Sequence, residues 1–175
     1  MSVRRVARLT RSLSAQIAGV LLSTSLPLAA SHAQESAFDT VTRGCYQLRL
    51  SEWSHPFQSG MPSLHVPPEI VRFDTAEVSF PRTRSPVRYR IHPNVPAIEA
   101  SRRPWDPGWM LSSPDSVRVN WTTGFAGVQL DLNVRGDSLL GLATARYDVA
   151  GLPIPRATVV GWRIQCPPQF ERPGP

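Results

Sequence analysis

The stretch Val128-Gln129-Leu130-Asp131-Leu132-Asn133-Val134-Arg135-Gly136-Asp137-Ser138-Leu139-Leu140-Gly141-Leu142-Ala143-Thr144-Ala145-Arg146-Tyr147 decides what kind of fold this chain can adopt. Its first half alternates strictly, with Val128, Leu130, Leu132 and Val134 against Gln129, Asp131 and Asn133. That is the period of a strand with one dry and one wet face. Gly136 and Asp137 then supply the backbone freedom and local hydrogen bonding of a tight turn, after which the apolar series resumes at Leu140, Leu142 and Thr144 and runs to Tyr147. The pattern predicts a long β-hairpin turning at Arg135 to Ser138.

Working outward, the same alternation recurs. Tyr46, Leu48 and Leu50 alternate with Gln47 and Arg49; Val87, Tyr89 and Ile91 with Arg88 and Arg90; Val117, Val119 and Trp121 with Arg118 and Asn120. Weaker strands are expected at about Glu69 to Phe73 and Ala76 to Phe80. A strong one is expected at Arg156 to Cys166, where Val160, Trp162 and Ile164 share a face. No segment downstream of residue 33 keeps apolar residues at i, i+3, i+4 and i+7 for three turns, so no long helix is expected. The predicted fold class is all-β, an antiparallel up-and-down barrel of about eight strands. A β-sandwich is the alternative that the same alternation would produce. The predicted inward set is Tyr46, Leu48, Val117, Val119, Trp121, Val128, Leu130, Leu132, Val160, Trp162 and Ile164.

Proline punctuates the chain, with 18 in all. Because proline donates no ladder hydrogen bond, the stretches around Pro56 to Pro68 and His92 to Asp115 read as loops or sheet edges. The second is long for a connection, and loops of that length are often functional. After Cys166, the run Pro167-Pro168-Gln169-Phe170-Glu171-Arg172-Pro173-Gly174-Pro175 reads as a non-helical, fraying tail.

At the other end, Arg4, Arg5, Arg8 and Arg11 precede an uncharged run from Ile17 to Ala30 that closes with Ser31-His32-Ala33. This is the layout of a secretory signal peptide, with cleavage expected between Ala33 and Gln34. The expected organisation is therefore a leader at 1–33, a lead-in at 34–43, one barrel domain at 44–166 and a tail at 167–175. Localisation is expected to be periplasmic or extracellular. Loss of the leader leaves 15 basic residues, all Arg, against 13 acidic ones, so the formal charge falls from +6 to +2. A charge so small and dispersed excludes a broad nucleic-acid footprint, and no stretch is long and apolar enough for a stable membrane span. In an oxidising compartment Cys45 and Cys166 are expected to form a disulfide, stapling the first strand to the last. Their spacing excludes a Cys-x-x-Cys redox site.

No catalytic constellation is present in the pattern. His55, His65 and His92 sit in or beside proline-rich loops without metal-ligand spacing, there is no Gly-x-Ser-x-Gly elbow, and the carboxylates are scattered singly. Neither a cofactor nor a metal is expected. Gly124-Phe125-Ala126-Gly127 enters a strand and no helix follows, so it reads as a bulge or close crossing in a curved sheet, not a phosphate loop. Arg135-Gly136-Asp137-Ser138 matches an adhesive tetrapeptide, but a hairpin turn already accounts for its Gly and Asp.

Gly44-Cys45-Tyr46 and Arg163 give the chain a resemblance to the lipocalins and the wider calycins. These families open their first barrel strand with Gly-x-Trp and set an Arg of the last strand beside that ring. The hairpin Asp131 to Asp148 is similar to later strand pairs of avidin-like and lipocalin-like barrels. Tyr46 stands where the family has Trp, no Thr-Asp-Tyr motif is present, and the nine residues after Cys166 do not supply the family's packed helix. The resemblance implies a barrel whose end is held by Tyr46 and Arg163. The leading functional expectation is a secreted protein that holds a small apolar or aromatic ligand in the barrel mouth, under a lid made by the proline-stiffened loop of Trp105 and Trp109 with Arg102 and Arg103 beside them. The alternative for that loop is that one Trp plugs the barrel end. The rival expectation is an envelope or extracellular module whose barrel is filled by its own side chains and whose loops contact a protein or glycan.

Overall fold

The structure, a computed structural model, describes residues 36–57, 66–78, 87–101, 106–148 and 151–171. Eight strands, β1 (Cys45–Leu50), β2 (Ile70–Glu77), β3 (Tyr89–His92), β4 (Gly108–Ser113), β5 (Ser116–Thr122), β6 (Ala126–Arg135), β7 (Ser138–Tyr147) and β8 (Arg156–Ile164), are joined in sequence order. All neighbours are antiparallel, and β1 pairs with β8 from Cys45 opposite Ile164 to Leu50 opposite Val159. The result is a closed up-and-down barrel and not a sandwich. The hairpin is the expected one: β6 and β7 pair from Ala126 opposite Tyr147 to Arg135 opposite Ser138. Gly136 takes φ +54 in the turn, a conformation that glycine adopts without penalty.

Closure needs tight approaches. A Cβ on Gly141 would lie 1.9 Å from the Asp131 carbonyl oxygen, and one on Gly127 2.0 Å from that of Trp121. These glycines let β5, β6 and β7 coil against one another.

Among the described residues three short helices accompany the strands: α1 (Ala37–Val41), α2 (Pro96–Glu99) and α3 (Pro168–Glu171). The first lies in the lead-in. Ser36 caps it, its Oγ accepting from the Asp39 amide at 3.2 Å. Ala37 and Val41 enter the core, and the Ala37 amide donates to Pro114 in the β4–β5 turn. α1 therefore covers the end of the barrel where β1 begins and β8 finishes. At the opposite end Val95 and Ile98 of the β3–β4 connection are buried, and Trp121 Nε1 donates to the Pro93 carbonyl at 3.0 Å. Cys45 and Cys166 form the disulfide, 121 residues apart in sequence. For a loop of that length the chain-entropy model gives about 4 to 5 kcal/mol as an upper figure.

Several sequence expectations need correcting. The two weak strands at Glu69 to Phe73 and Ala76 to Phe80 are one strand, β2; its hydrogen bonding to β3 shifts register between Phe73 and Glu77. The stretch read as a loop from His92 to Asp115 contains β4, since Pro107 immediately precedes the strand and so costs no ladder bond within it. Val87 lies before β3 and is exposed. Pro168 to Glu171, expected to be non-helical, make one helical turn, because a proline at the first position loses only an amide that has no partner there anyway.

The largest correction is to β7 and β8. Val160, Trp162 and Ile164 do share a face, but it is the outer one; Ala157 and Val159 are the buried residues. In β7 the buried residues are Leu139, Ala143 and Ala145, and Leu140, Leu142 and Thr144 point outward. The rest of the predicted inward set is buried, but so is Gln129, which the alternation puts on the wet face; its Nε2 donates to Asp131 Oδ2 at 2.6 Å.

Candidate functional site

The interior of the barrel is occupied by the protein itself. Tyr46, Phe73, Ile91, Trp109, Trp121, Leu130, Leu132 and Leu139 are among the largest fully buried side chains and belong to one continuous core cluster. Trp109 is in this cluster. It stands on β4 with no exposed surface, its ring against Phe38, Phe73 and Tyr89, and its Nε1 donates to the Asp74 carbonyl at 2.9 Å. The expectation of a lid loop containing Trp109 is corrected accordingly: Trp109 is a strand residue of the core. Arg102, Arg103 and Trp105 lie outside the described residues.

The barrel-end pair is brought together. Arg163 places its guanidinium 5.8 Å from the centre of the Tyr46 ring, and its Nη2 donates to the Thr40 carbonyl at 2.8 Å and to Tyr46 Oη at 3.2 Å. Its Nε lies 3.1 Å from Asp137 Oδ1. Tyr46 Oη also donates to the Thr40 carbonyl. One side chain of β8 thus ties together β1, the end of α1 and the β6–β7 turn. The contact also explains the Arg-Gly-Asp-Ser sequence structurally, since its carboxylate is paired with Arg163.

On the outside of the wall, β2 and β3 carry the polar residues that alternate with their buried ones. Arg72 and Asp74 flank Phe73, Arg90 and His92 flank Ile91, and Arg72 stands opposite His92. Together with Ala76, Pro93, Asn94 and Glu99 on one side and Gln169 and Phe170 of α3 on the other, they line a groove of about 730 Å³. A second hollow of about 490 Å³ shares Arg90, His92, Asn94 and Glu99 with it and extends to Asp106 and Pro107. Asp74 is the fixed point. Its Oδ1 accepts from the amides of Thr75 at 2.7 Å and Ala76 at 3.2 Å, and its Oδ2 is 3.3 Å from His92 Nε2. Partial burial raises the Asp74 pKa, but the Ala76 amide, His92 and the Thr75 amide outweigh it, and the carboxyl sits below its ordinary value. Arg72 Nη1 donates to the Phe170 carbonyl and holds α3 over the strands.

Sequence reasoning placed His92 in a loop and Arg90 on a solvated face, and did not join them to Arg72, Asp74, Glu99 or Phe170. The alternation around β3 gave the outward facing of Arg90 alone; Asp74 fell between the two short strands expected there, and neither the partner strand nor the docking of α3 was given. His55 is exposed beside Ser54, and His65 lies outside the described residues. Among the described residues no group of His, Cys, Asp or Glu is arranged to hold a metal ion. Compared with known proteins, the chain matches no family model, no curated protein and no solved structure.

Proposed function

We propose that this protein is an exported interaction module: a disulfide-closed barrel that is filled by its own side chains and meets a protein or glycan of the envelope or extracellular space with its outer surface. The observation that carries this reading is the occupied interior, with Trp109, Trp121, Tyr46 and Phe73 all buried inside the strands and residues of α1 and of the β3–β4 connection buried at the two ends. An eight-stranded barrel is just wide enough either to be filled or to hold one small ligand, and these large rings favour filling. Export is supported by the leader-like residues 1–33 and by the disulfide. The likeness to lipocalins is then one of barrel closure, supported by Arg163 over Tyr46, and not one of ligand.

Native mass spectrometry of the protein purified from the periplasm of its host tests this. The expected mass is that of the oxidised chain alone, and titration with N-phenyl-1-naphthylamine should give no saturable fluorescence gain. A stoichiometric apolar molecule released on unfolding would return the protein to the class of ligand carriers.

A further inference from the structure

Resting on the reading of the barrel exterior as the working surface, we propose that the groove formed by β2, β3, Glu99 of α2 and α3 binds a neutral oligosaccharide. The charges come first. Arg72 and Arg90 are balanced by Asp74 and Glu99 in the larger hollow, and the smaller adds Asp106, so the site as a whole carries one net negative charge and offers little field to a polyanion or a polycation. What it offers is closely spaced donors and acceptors. A guanidinium only donates, a carboxylate only accepts, and an amide does both, whereas every sugar hydroxyl needs a donor and an acceptor at once. A mixed wall of Arg, Glu and Gln matches that requirement without selecting for charge.

The groove is also divided into held and available groups. Asp74 is fixed by two backbone amides and His92, and Arg72 by the Phe170 carbonyl. Arg90, Glu99 and Gln169 have no side-chain hydrogen bond or ion pair to another described residue, so they are free to exchange water for ligand hydroxyls. Phe170 and Pro93 add carbon surface of the kind the C–H face of a pyranose ring packs on. The two hollows, about 730 and 490 Å³, adjoin through their shared lining residues Arg90, His92, Asn94 and Glu99 and suit an extended ligand of more than one ring.

The geometry disfavours a peptide with the same polar groups. An extended peptide gains most of its affinity by adding a strand to a long free sheet edge, and here β2 is paired to β1 at Ile70 to Arg72 and to β3, and β3 to β4 at Tyr89 and Arg90, which leaves only short unpaired stretches interrupted by a register shift.

The test is isothermal titration of the full exported chain with chitotetraose, cellotetraose and maltotetraose. Tetragalacturonate and a tetra-alanine peptide serve as the anionic and peptide competitors. Saturable binding of at least one neutral tetrasaccharide is expected, weakened at least tenfold by Arg90→Ala and by Glu99→Gln. Both residues are exposed, so the variants should melt with the wild type. No binding of any neutral probe, binding indifferent to both substitutions, or preference for tetragalacturonate or peptide would overturn the proposal. An apolar molecule found inside the barrel would overturn the exterior-module reading instead, a result these titrations neither require nor produce.

Discussion

The wall made by β5 and β6 holds eight apolar residues and the wall made by β7 and β8 eleven, and the two bury them by different rules. In β5 and β6 polarity marks the outer face: Val117, Val119, Trp121, Val128, Leu130 and Leu132 are buried, and between them stand Arg118, Asn120, Gln129, Asp131 and Asn133. Of these Gln129 is itself buried, its Nε2 donating to Asp131 Oδ2 at 2.6 Å. The outer face is even self-satisfied, with Arg118 Nε 2.6 Å from Asp131 Oδ1 across the strands. In β7 and β8 size marks the inside. Gly141, Ala143, Ala145, Ala157 and Gly161 are interspersed with Leu139 and Val159 on the inner face, while Leu140 and Val160, opposite each other, remain 41% and 46% exposed. The reason is volume. A barrel of fixed width that takes two Trp, a Tyr and a Phe from other strands has room for little more than methyl groups from the remaining ones. Apolar count therefore assigns register on one wall and misassigns it on the other.

The sharpest way to break this comparison is to put a carboxylate at adjacent positions of β8. Val159→Asp buries an unpaired charge and should cost more than about 4 kcal/mol or abolish folding, whereas Val160→Asp should stay within about 1 kcal/mol of wild type. Urea titration of secondary structure measures both. The reverse order would restore the other register, since a one-residue slip exchanges the faces.

A smaller effect separates the two kinds of inner residue. Leu130→Ala opens a cavity on the wall that fills the lumen and should cost about 2 to 5 kcal/mol. Ala143→Leu, its cross-strand partner on the wall of small residues, overfills the same layer and should cost about 1 to 3 kcal/mol. If Ala143→Leu proved stabilising, there would be unfilled space beside Ala143, and the self-filled interior would have to be given up.

What was legible in the sequence follows from the same contrast. The hairpin and the antiparallel strands rest on local alternation and a turn pair, visible within short windows, and the disulfide on there being only two cysteines; alternation does not decide closure into a barrel over a sandwich. The facing of Val160, Trp162 and Ile164 is not, because it depends on the volume of Trp109 and Trp121 arriving from distant parts of the chain. The Tyr46–Arg163 pair was legible by resemblance alone, 117 residues apart. The β2–β3 groove was illegible because its members, from Arg72 to Phe170, meet only when α3 docks.

Arg163 gives an intermediate test, at the one place where β8 turns a large polar residue toward the barrel end. Arg163→Ala removes two hydrogen bonds to the Thr40 carbonyl and Tyr46 Oη and the ion pair with Asp137. A loss of about 1 to 3 kcal/mol is expected. Arg163→Lys should recover only part of it, because an ammonium cannot lie flat on the Tyr46 ring while its donors fan out to three partners. Full recovery by Lys would reduce the role of Arg163 to that of a point charge.

The smallest expected effect belongs to the outer face of β2, where polarity again marks the outside but the groove half-shelters it. Asp74 has a folded-state pKa below its ordinary 3.8, the amides of Ala76 and Thr75 and the neighbouring His92 outweighing the cost of burial. A carboxyl whose pKa is depressed by folding stabilises the protein above its unfolded value, and that contribution is lost as pH falls through the folded one. The wild type should therefore exceed Asp74→Asn in stability from about pH 5 upward, by less than about 1 kcal/mol given solvent screening, and the gap should close below pH 3.8. Thermal unfolding of both proteins from pH 3 to pH 7 measures it. A gap that widened as the pH dropped would mean that the carboxylate is strained in the folded protein, and Asp74 could not then be the fixed point around which the groove is organised.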